Sequence, residues 1–230
     1  MLVLPAYLNA QEAKPAAKKP AKKKNPAFTL PTITDGLPNV LLIGDSISIG
    51  YTMMVREGLS GEANVFRPLV NCGPTTTGVK SIDQWIGDRK WDVIHFNFGL
   101  HDLKYMGPNG ENLADPKAET SHPQVPIDEY VANLREIAKR LKKTGATVIW
   151  RETTPVPEGA KGRIVGDSKK YNAAAAKVMQ ELGGIETDPM FQYALDEAEQ
   201  LPANVHYTKE GSQTLANHVI VAIRKALKTK

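Results

Sequence analysis

The alternation of short apolar runs with helical periodicity constrains the fold of this 230-residue chain more than any other feature. Buried strands are predicted at Val40–Ile43, Asn64–Phe66, Trp91–Phe98 and Ala146–Trp150. Helices are predicted from about Ser48, over Ile127–Lys143, and in the segments 169–182 and 208–227. This order predicts an α/β domain with a mostly parallel, doubly wound sheet, in which working residues gather at the carboxyl ends of the strands.

Composition and cysteine content exclude several classes of protein. The chain is 41% hydrophobic, 7% aromatic and 23% charged, which is ordinary for a globular domain and excludes a disordered, collagen-like or disulfide-rich chain. Cys72 is the single cysteine, so neither an intramolecular disulfide nor a multi-cysteine metal site can form. No apolar run approaches the roughly 18 residues of a membrane-spanning helix, and we predict no stable membrane insertion.

The net charge of +4 is distributed unevenly along the chain. Residues 1–26 contain six lysines and one acid, Glu12, for a net charge of +5, which leaves −1 for the other 204 residues. A nucleic-acid-binding domain is expected to carry its basic surface on its folded part. The sequence therefore predicts no nucleic-acid partner.

The N-terminal segment differs in composition from the rest of the chain. Residues 1–10 (MLVLPAYLNA) are similar to the end of a secretory signal, and a frayed apolar N-terminus or a vector remnant is the alternative. Residues 11–36 are rich in lysine, alanine and proline and are predicted to be a flexible linker. Residues 37–230 are predicted to form the domain, in a protein that is secreted or periplasmic.

The first predicted strand ends in the tight turn Gly44-Asp45-Ser46, which leaves Ser46 at the mouth of the following helix. A serine there can be a nucleophile or can cap the helix, and the turn alone does not decide between the two. A nucleophilic serine requires a base from elsewhere in the chain. His206 is the best candidate, because it lies just before the last predicted helix, where Thr208 is a plausible N-cap.

Four segments together resemble the ordered blocks of the SGNH (GDSL-type) hydrolases. They are Gly44-Asp45-Ser46, Asn71-Cys72-Gly73, Gly99-Leu100-His101-Asp102 and the C-terminal His206. The resemblance covers the chain from Asn39 to its end. It implies a three-layer α/β/α fold with a five-stranded parallel sheet, and ester hydrolysis by a serine nucleophile without a metal or cofactor.

The resemblance also implies a role for each matching residue. Ser46 is the nucleophile and its N–H an oxyanion donor, while His206 is the general base. The second block supplies a further backbone N–H to the oxyanion hole, from Gly73 in one alignment and from Thr76 in another. His101 occupies the position of the third-block asparagine, and its ring N–H can donate in the same direction.

The sequence departs from the family pattern beside the predicted base. The acid expected three residues before the histidine is Ala203 here, and Asn204 follows it. Either Ser46 and His206 act as a dyad, or another group orients the imidazole. A backbone carbonyl is the group that we prefer at this stage, and the Asn204 oxygen or a carboxylate from elsewhere are the alternatives.

Other motifs give weaker indications. Residues 73–81 (GPTTTGVKS) are similar to a phosphate-binding loop, but Val79 separates the second glycine from the lysine and spoils the spacing. The five histidines show no metal-ligand spacing, so we predict no metal. His95 is predicted to be a core histidine, and Asp102 and Asp188 to brace loops.

These observations predict a secreted serine esterase that removes short acyl groups, acetyl groups on carbohydrate in particular, from a small-molecule or polysaccharide ester. Residues 106–126 form one long irregular stretch that is placed to line the pocket. A catalytically silent glycan- or lipid-binding module on the same fold is the main alternative, because the usual acid is missing. A phosphate-binding domain that uses the turn at Ser46 is the third hypothesis.

Overall fold

The computed structural model describes residues 25–229, so the predicted signal fragment and most of the predicted linker lie outside the described residues. The last part of that linker packs against the domain. A 3₁₀ turn at Pro26–Phe28 buries Ala27, and Thr34 exchanges backbone hydrogen bonds with the side chain of Asn64. The ten residues that precede the predicted domain boundary at residue 37 thus bury an apolar side chain and satisfy polar groups of Asn64.

The described strands are β1 (Asn39–Ile43), β2 (Asn64–Phe66), β3 (Val93–Phe96), β4 (Tyr105–Met106), β5 (His122–Pro123), β6 (Thr147–Arg151) and β7 (Ile185–Asp188). Five of them form one sheet in the order β2-β1-β3-β6-β7, and all strands of this sheet are parallel. The short strands β4 and β5 form a separate antiparallel pair. The predicted strand 91–98 is shorter than expected, because its ends pass into loops.

Helices cover both faces of the sheet, so the three-layer α/β/α prediction is confirmed. They are α1 (Ser46–Gly58), α2 (Thr75–Ile86), α3 (Ile127–Lys143), α4 (Asp167–Leu182), α5 (Met190–Glu197) and α6 (Lys209–Lys228). Helices α1 and α6 pack together on one face, and α2, α3 and α4 pack side by side on the other. The α1–α6 contact is close: a Cβ on Gly58 would lie 2.3 Å from Ile220 Cδ1.

A buried carboxylate joins the sheet to α6. Asp188, at the end of β7, accepts a hydrogen bond from His95 Nε2 of β3 at 2.8 Å, and its other oxygen lies 2.6 Å from His218 Nε2 of α6. Burial favours a raised pKa for Asp188, but the bonds and charges of His218 and His95 outweigh it and keep the pKa well below its usual range. This cluster fixes the last helix against the carboxyl half of the sheet.

Candidate active site

Ser46 is the first residue of α1, directly after the turn that ends β1. The N-cap is Asp45, whose Oδ1 accepts a hydrogen bond from the Ile47 N–H at 3.0 Å. Because Asp45 caps the helix, Ser46 does not, and the alternative of a purely capping serine is wrong. The Ser46 hydroxyl is free to point away from the helix.

The loop before α6 carries His206, and backbone hydrogen bonds fix this loop at its two ends. The Leu201 N–H donates to the His206 carbonyl at 2.9 Å, and the Thr208 N–H donates to the Glu199 carbonyl at 3.1 Å. Thr208 is the N-cap of α6, as predicted, and its Oγ1 accepts from Gly211 N at 3.0 Å. The loop thus presents the imidazole at the carboxyl edge of the sheet, where β1 ends.

Ser46, His206 and Asn204 form a continuous chain of hydrogen bonds. Ser46 Oγ lies 2.8 Å from His206 Nε2, and His206 Nδ1 lies 2.8 Å from Asn204 Oδ1. The backbone N–H of His206 also donates to Asn204 Oδ1, at 3.1 Å, which identifies that atom as the amide oxygen. An oxygen at Nδ1 places the ring proton there, so Nε2 is the acceptor for the serine hydroxyl.

The group at His206 Nδ1 is therefore the Asn204 side chain and not the backbone carbonyl that we preferred from the sequence. Asn204 can take this place because an asparagine two residues before the histidine can fold back in a tight local turn. Ala203, at the position of the family's acid, has a left-handed φ of 51°. Its Cβ points toward the 157–162 loop, where a Cβ built on Gly159 would lie 3.0 Å away.

His101 follows β3 and lines the same cavity as Ser46 and His206. Burial lowers the pKa of His101; the neighbouring Asp45 carboxylate opposes this shift, and the charges of Lys104 and Arg163 add to it. A lowered pKa favours the neutral ring, which carries one N–H donor. Arg163 supports the residue before His101, because its Nε and Nη2 donate to the Leu100 carbonyl at 3.2 and 3.1 Å.

The second-block donor that we predicted at Gly73 is already engaged. The Gly73 N–H donates to Asn71 Oδ1 at 3.0 Å, and Gly73, with a φ of 63°, is not among the residues that line the cavity. Asn71 does line the cavity. Thr76, the alternative, is not among the lining residues either, but it lies in the first turn of α2, where backbone N–H groups have no carbonyl partner within the helix.

Asp102 positions the loop after β3 against the start of α2. Its Oδ1 accepts hydrogen bonds from the Thr75 N–H at 2.8 Å and from the Thr75 hydroxyl at 2.5 Å. Burial raises the pKa of Asp102 to about 7, although both bonds from Thr75 act to lower it. This aspartate braces a loop, as the sequence predicts, and keeps His101 next to the second block.

Ser46 and His206 open into a cavity of about 400 Å³. Besides the residues already described, its lining includes three cations that the sequence analysis did not select, Lys104, Lys161 and Arg163. They come from loops that follow β3 and β6, and isolated basic residues in such loops give no sequence signal. Among residues 25–229, no group of three or more side chains is arranged to bind a metal ion, and no helix there is long and apolar enough to cross a membrane.

The serine is hydrogen-bonded to a histidine at the carboxyl edge of a parallel sheet between two helical layers. This arrangement defines a class of protein, the serine hydrolases of the three-layer α/β/α type. The family model of the GDSL-like lipases and acylhydrolases matches residues 58–219, more than half of the chain. The chain therefore belongs to this family, and it is a carboxylic ester hydrolase. The matched segment contains His101 and His206 and begins after Ser46.

Solved structures show the same fold at low sequence identity. The lipase/acylhydrolase from Enterococcus faecalis is 16% identical, with a TM-score of 0.65 over 84% of this chain and 99% of that one. The acetyl xylan esterase AlAXEase is 15% identical, with a TM-score of 0.62 over 80% and 99%. Axe2, an acetylxylan esterase from Geobacillus stearothermophilus, is 17% identical, with a TM-score of 0.62 over 81% and 94%. No curated protein matches the sequence.

Proposed function

We propose that this protein is an exported serine esterase that removes short acyl groups, acetyl in particular, from carbohydrate through an acyl-enzyme on Ser46. The observation that carries the proposal is the 2.8 Å contact between Ser46 Oγ and His206 Nε2. A neutral serine is a weak nucleophile, and a base within hydrogen-bond reach is the feature that activates it.

In the first step the proton moves between Ser46 and His206 only, and Asn204 holds the ring without taking the proton. Ser46 Oγ attacks the ester carbonyl carbon while His206 Nε2 takes the hydroxyl proton, and the Asn204 oxygen accepts from the Nδ1–H of the resulting imidazolium. Collapse of the tetrahedral intermediate breaks the bond to the alcohol, which leaves with the proton from Nε2. Water then attacks the acyl-enzyme with His206 again as base, and the acid and free Ser46 are released.

Three donors stabilise the negative oxygen in this proposal. The Ser46 N–H lies at the N-terminus of α1, where backbone donors and the helix dipole favour a negative charge. The ring N–H of His101 is the second donor. The engagement of Gly73 by Asn71 favours Thr76 over Gly73 as the third.

Two observations support a short acyl group on a sugar. The cavity is compact, and Leu100, Leu113 and Val205 give it an apolar part beside polar groups such as Asn71 and Asn112. Two of the solved structures with this fold are acetylxylan esterases. The alternative of a silent binding module depends on the absence of the usual acid. It is less favoured, since Asn204 supplies an oxygen at His206 Nδ1 in place of that acid.

The first experiment measures p-nitrophenol release from the acetate, butyrate and octanoate esters by the wild type and by Ser46→Ala. We expect the acetate to be the best of the three and the variant to lose about 10³-fold or more in kcat. A fluorophosphonate probe should label Ser46, located by peptide mass spectrometry. Equal activity in a folded Ser46→Ala variant would exclude the proposed nucleophile, and absence of both turnover and label in the wild type would favour the binding module.

Export is tested separately on the N-terminal segment. Fractionation of the cells that naturally make the protein, followed by intact-mass analysis, should find processed protein outside the cytoplasm that begins near Gln11. A chain that stays in the cytoplasm with residues 1–10 attached would contradict export without affecting the assignment of the active site.

A further inference from the structure

The cavity at Ser46 has a lining of one charge sign. Lys104 and Arg163 are partly buried in it and Lys161 is exposed at its edge, whereas no aspartate or glutamate among residues 25–229 lines it. The partial positive charge at the N-terminus of α1 adds to this field. A cleft lined by one sign of charge concentrates ligands of the opposite sign.

These cations form no ion pair within the described part of the chain. None of the ion pairs there includes Lys104, Lys161 or Arg163, and the only acceptor for the Arg163 guanidinium is the Leu100 carbonyl. The Nη1 group of Arg163 and both ammonium groups are left to meet a ligand.

The nearest carboxylates do not compensate these charges. Asp45 acts on Arg163 and Asp102 acts on Lys104, but both carboxylates are buried and accept hydrogen bonds from the backbone at the start of a helix. Partial burial, and then repulsion by Arg163, lower the pKa of the Lys104 ammonium. An anion beside Lys104 would oppose both effects, because its charge favours the protonated ammonium.

The two loops that carry the three cations are also joined through their backbones. The Tyr105 N–H donates to the Gly162 carbonyl at 2.8 Å, which joins the two loops that carry them. The loops approach so closely that a Cβ on Gly162 would lie 2.4 Å from Leu113 Cα. Loop backbones joined in this way, with the Arg163 guanidinium held on the Leu100 carbonyl, lose less conformational entropy on binding a ligand than two independent loops would.

We infer that the esterase acts on acyl esters of an anionic carbohydrate, with Lys104, Lys161 and Arg163 binding a carboxylate or sulfate group of the sugar while Ser46 attacks the neighbouring ester. The inference rests on the proposed function and adds the charge of the substrate to it. Charge-assisted hydrogen bonds give the selectivity, and the fork of Arg163 suits a planar or tetrahedral oxyanion group.

The test compares three polymers on one backbone: acetylated dextran, acetylated carboxymethyl dextran and acetylated dextran sulfate, matched in chain length and degree of acetylation. Acetate release gives kcat/KM for each polymer at low salt and at about 0.5 M NaCl. We expect one or both anionic polymers to exceed the neutral one about tenfold at low salt, and the preferred polymer distinguishes a carboxylate from a sulfate site. High salt should reduce the difference.

Charge-removing variants locate the effect. Lys104→Gln and Lys161→Gln should each lower the anionic-to-neutral ratio of kcat/KM several-fold, whereas Lys177→Gln, an exposed lysine on α4, should leave that ratio unchanged. The lysine-rich residues 14–24 are the same in every variant, so a changed ratio reports the cavity.

Equal kcat/KM on the three polymers, or the same change of ratio in all three variants, would overturn the inference. Hydrolysis of p-nitrophenyl acetate in the same preparations keeps this outcome distinct from a failure of the proposed function. If that activity is present and depends on Ser46, only the anionic substrate is excluded. If the wild type does not hydrolyse p-nitrophenyl acetate, the proposed esterase function itself is excluded.

Discussion

Asn204 Oδ1 lies at His206 Nδ1, the ring nitrogen at which serine hydrolases of this kind usually place a carboxylate. Because this oxygen belongs to a neutral amide, the orientation of the histidine depends on one hydrogen bond. Asn204→Ala removes the acceptor at His206 Nδ1 and also the partner of the His206 backbone N–H. We expect kcat to fall roughly 10- to 100-fold, because the ring loses its preferred tautomer and orientation. Esterase kinetics on p-nitrophenyl acetate measure the loss, with thermal melting to verify folding.

Asn204→Asp is the matched comparison. A carboxylate at Nδ1 stabilises the imidazolium, so the acid limb of the pH–rate profile should move to higher pH, and kcat above that limb should be retained or raised. An unchanged profile in the aspartate variant, together with full activity in the alanine variant, would show that Asn204 does not act on the histidine.

His101 gives a second prediction at this scale. His101→Ala removes a donor to the oxyanion and should lower kcat by about 10² to 10³. His101→Asn restores an N–H donor at the position where the family carries asparagine, and should recover most of that loss. If both variants lose activity equally while they melt at the wild-type temperature, the ring does more than donate a hydrogen bond.

At the scale of the element, the start of α6 determines where His206 lies. A Cβ on Gly211 would approach the Glu199 carbonyl oxygen to 2.2 Å, and that carbonyl also accepts from the Thr208 N–H. Gly211→Ala should therefore displace the 199–208 loop, lower kcat/KM more than tenfold and destabilise the fold by about 1–3 kcal/mol. Urea unfolding and esterase kinetics measure the two effects.

Gly50→Ala is the control for that substitution. Gly50 is an exposed residue of α1, and its nearest neighbour to a new Cβ is Ser212 Oγ at 3.6 Å, an ordinary contact. Alanine is the better helix former, so this variant should match or exceed the wild type in stability by up to about 1 kcal/mol. If the Gly211→Ala variant is as active and stable as Gly50→Ala, the position of the 199–208 loop does not depend on the close contact between Gly211 and the Glu199 carbonyl.

The elements that could be predicted from the sequence are those with a clear period. The helix at Ile127–Lys143 has an apolar face of the right spacing, and its predicted ends agree with the structure. Helix α2 is not predicted from the sequence, because its first turn consists of threonines and its segment is instead similar to a phosphate-binding loop. The strand β7, Ile185–Asp188, is short and only partly buried, so it lacks an apolar run.

The stability of the whole molecule should depend on pH through two buried carboxylates, Asp102 and Asp188, whose pKa values are shifted in opposite directions. Burial raises the pKa of Asp102 to about 7, above the value of about 3.9 in an unfolded chain. The folded protein then binds more protons than the unfolded one between these values, so the free energy of unfolding should fall as pH rises from about 4 to about 7. Each unit of pKa difference corresponds to about 1.4 kcal/mol.

Asp102→Asn tests this dependence. The amide keeps an acceptor for Thr75 but does not titrate, so the variant should show a shallower fall in unfolding free energy between about pH 4 and about pH 7. Asp188 acts in the opposite sense, since its depressed pKa makes its contribution disappear only as the pH falls below about 4. Identical slopes in wild type and variant, measured by urea unfolding at each pH, would exclude Asp102 as the source.

The candidate site was predictable in part for a physical reason. Ser46 and His206 lie next to the ends of regular elements, so the order of the sequence blocks predicts where each residue lies in the fold. The partner of Nδ1 and the occupied N–H of Gly73 depend on which rotamer a nearby asparagine adopts, and that is decided by the folded loop. The three cations come together only because two distant loops are joined at Tyr105 and Gly162.

The two side chains that we propose to react are contributed from opposite ends of the domain, Ser46 from the first helix and His206 from the loop before the last one. A ribosome that has made the first four strands of the sheet has therefore made a scaffold without a base. Hydrolysis begins only when α6 packs beside α1 and brings the imidazole to the serine. A nascent chain, or one held unfolded for transport, is consequently unable to cleave esters until its folding is almost complete.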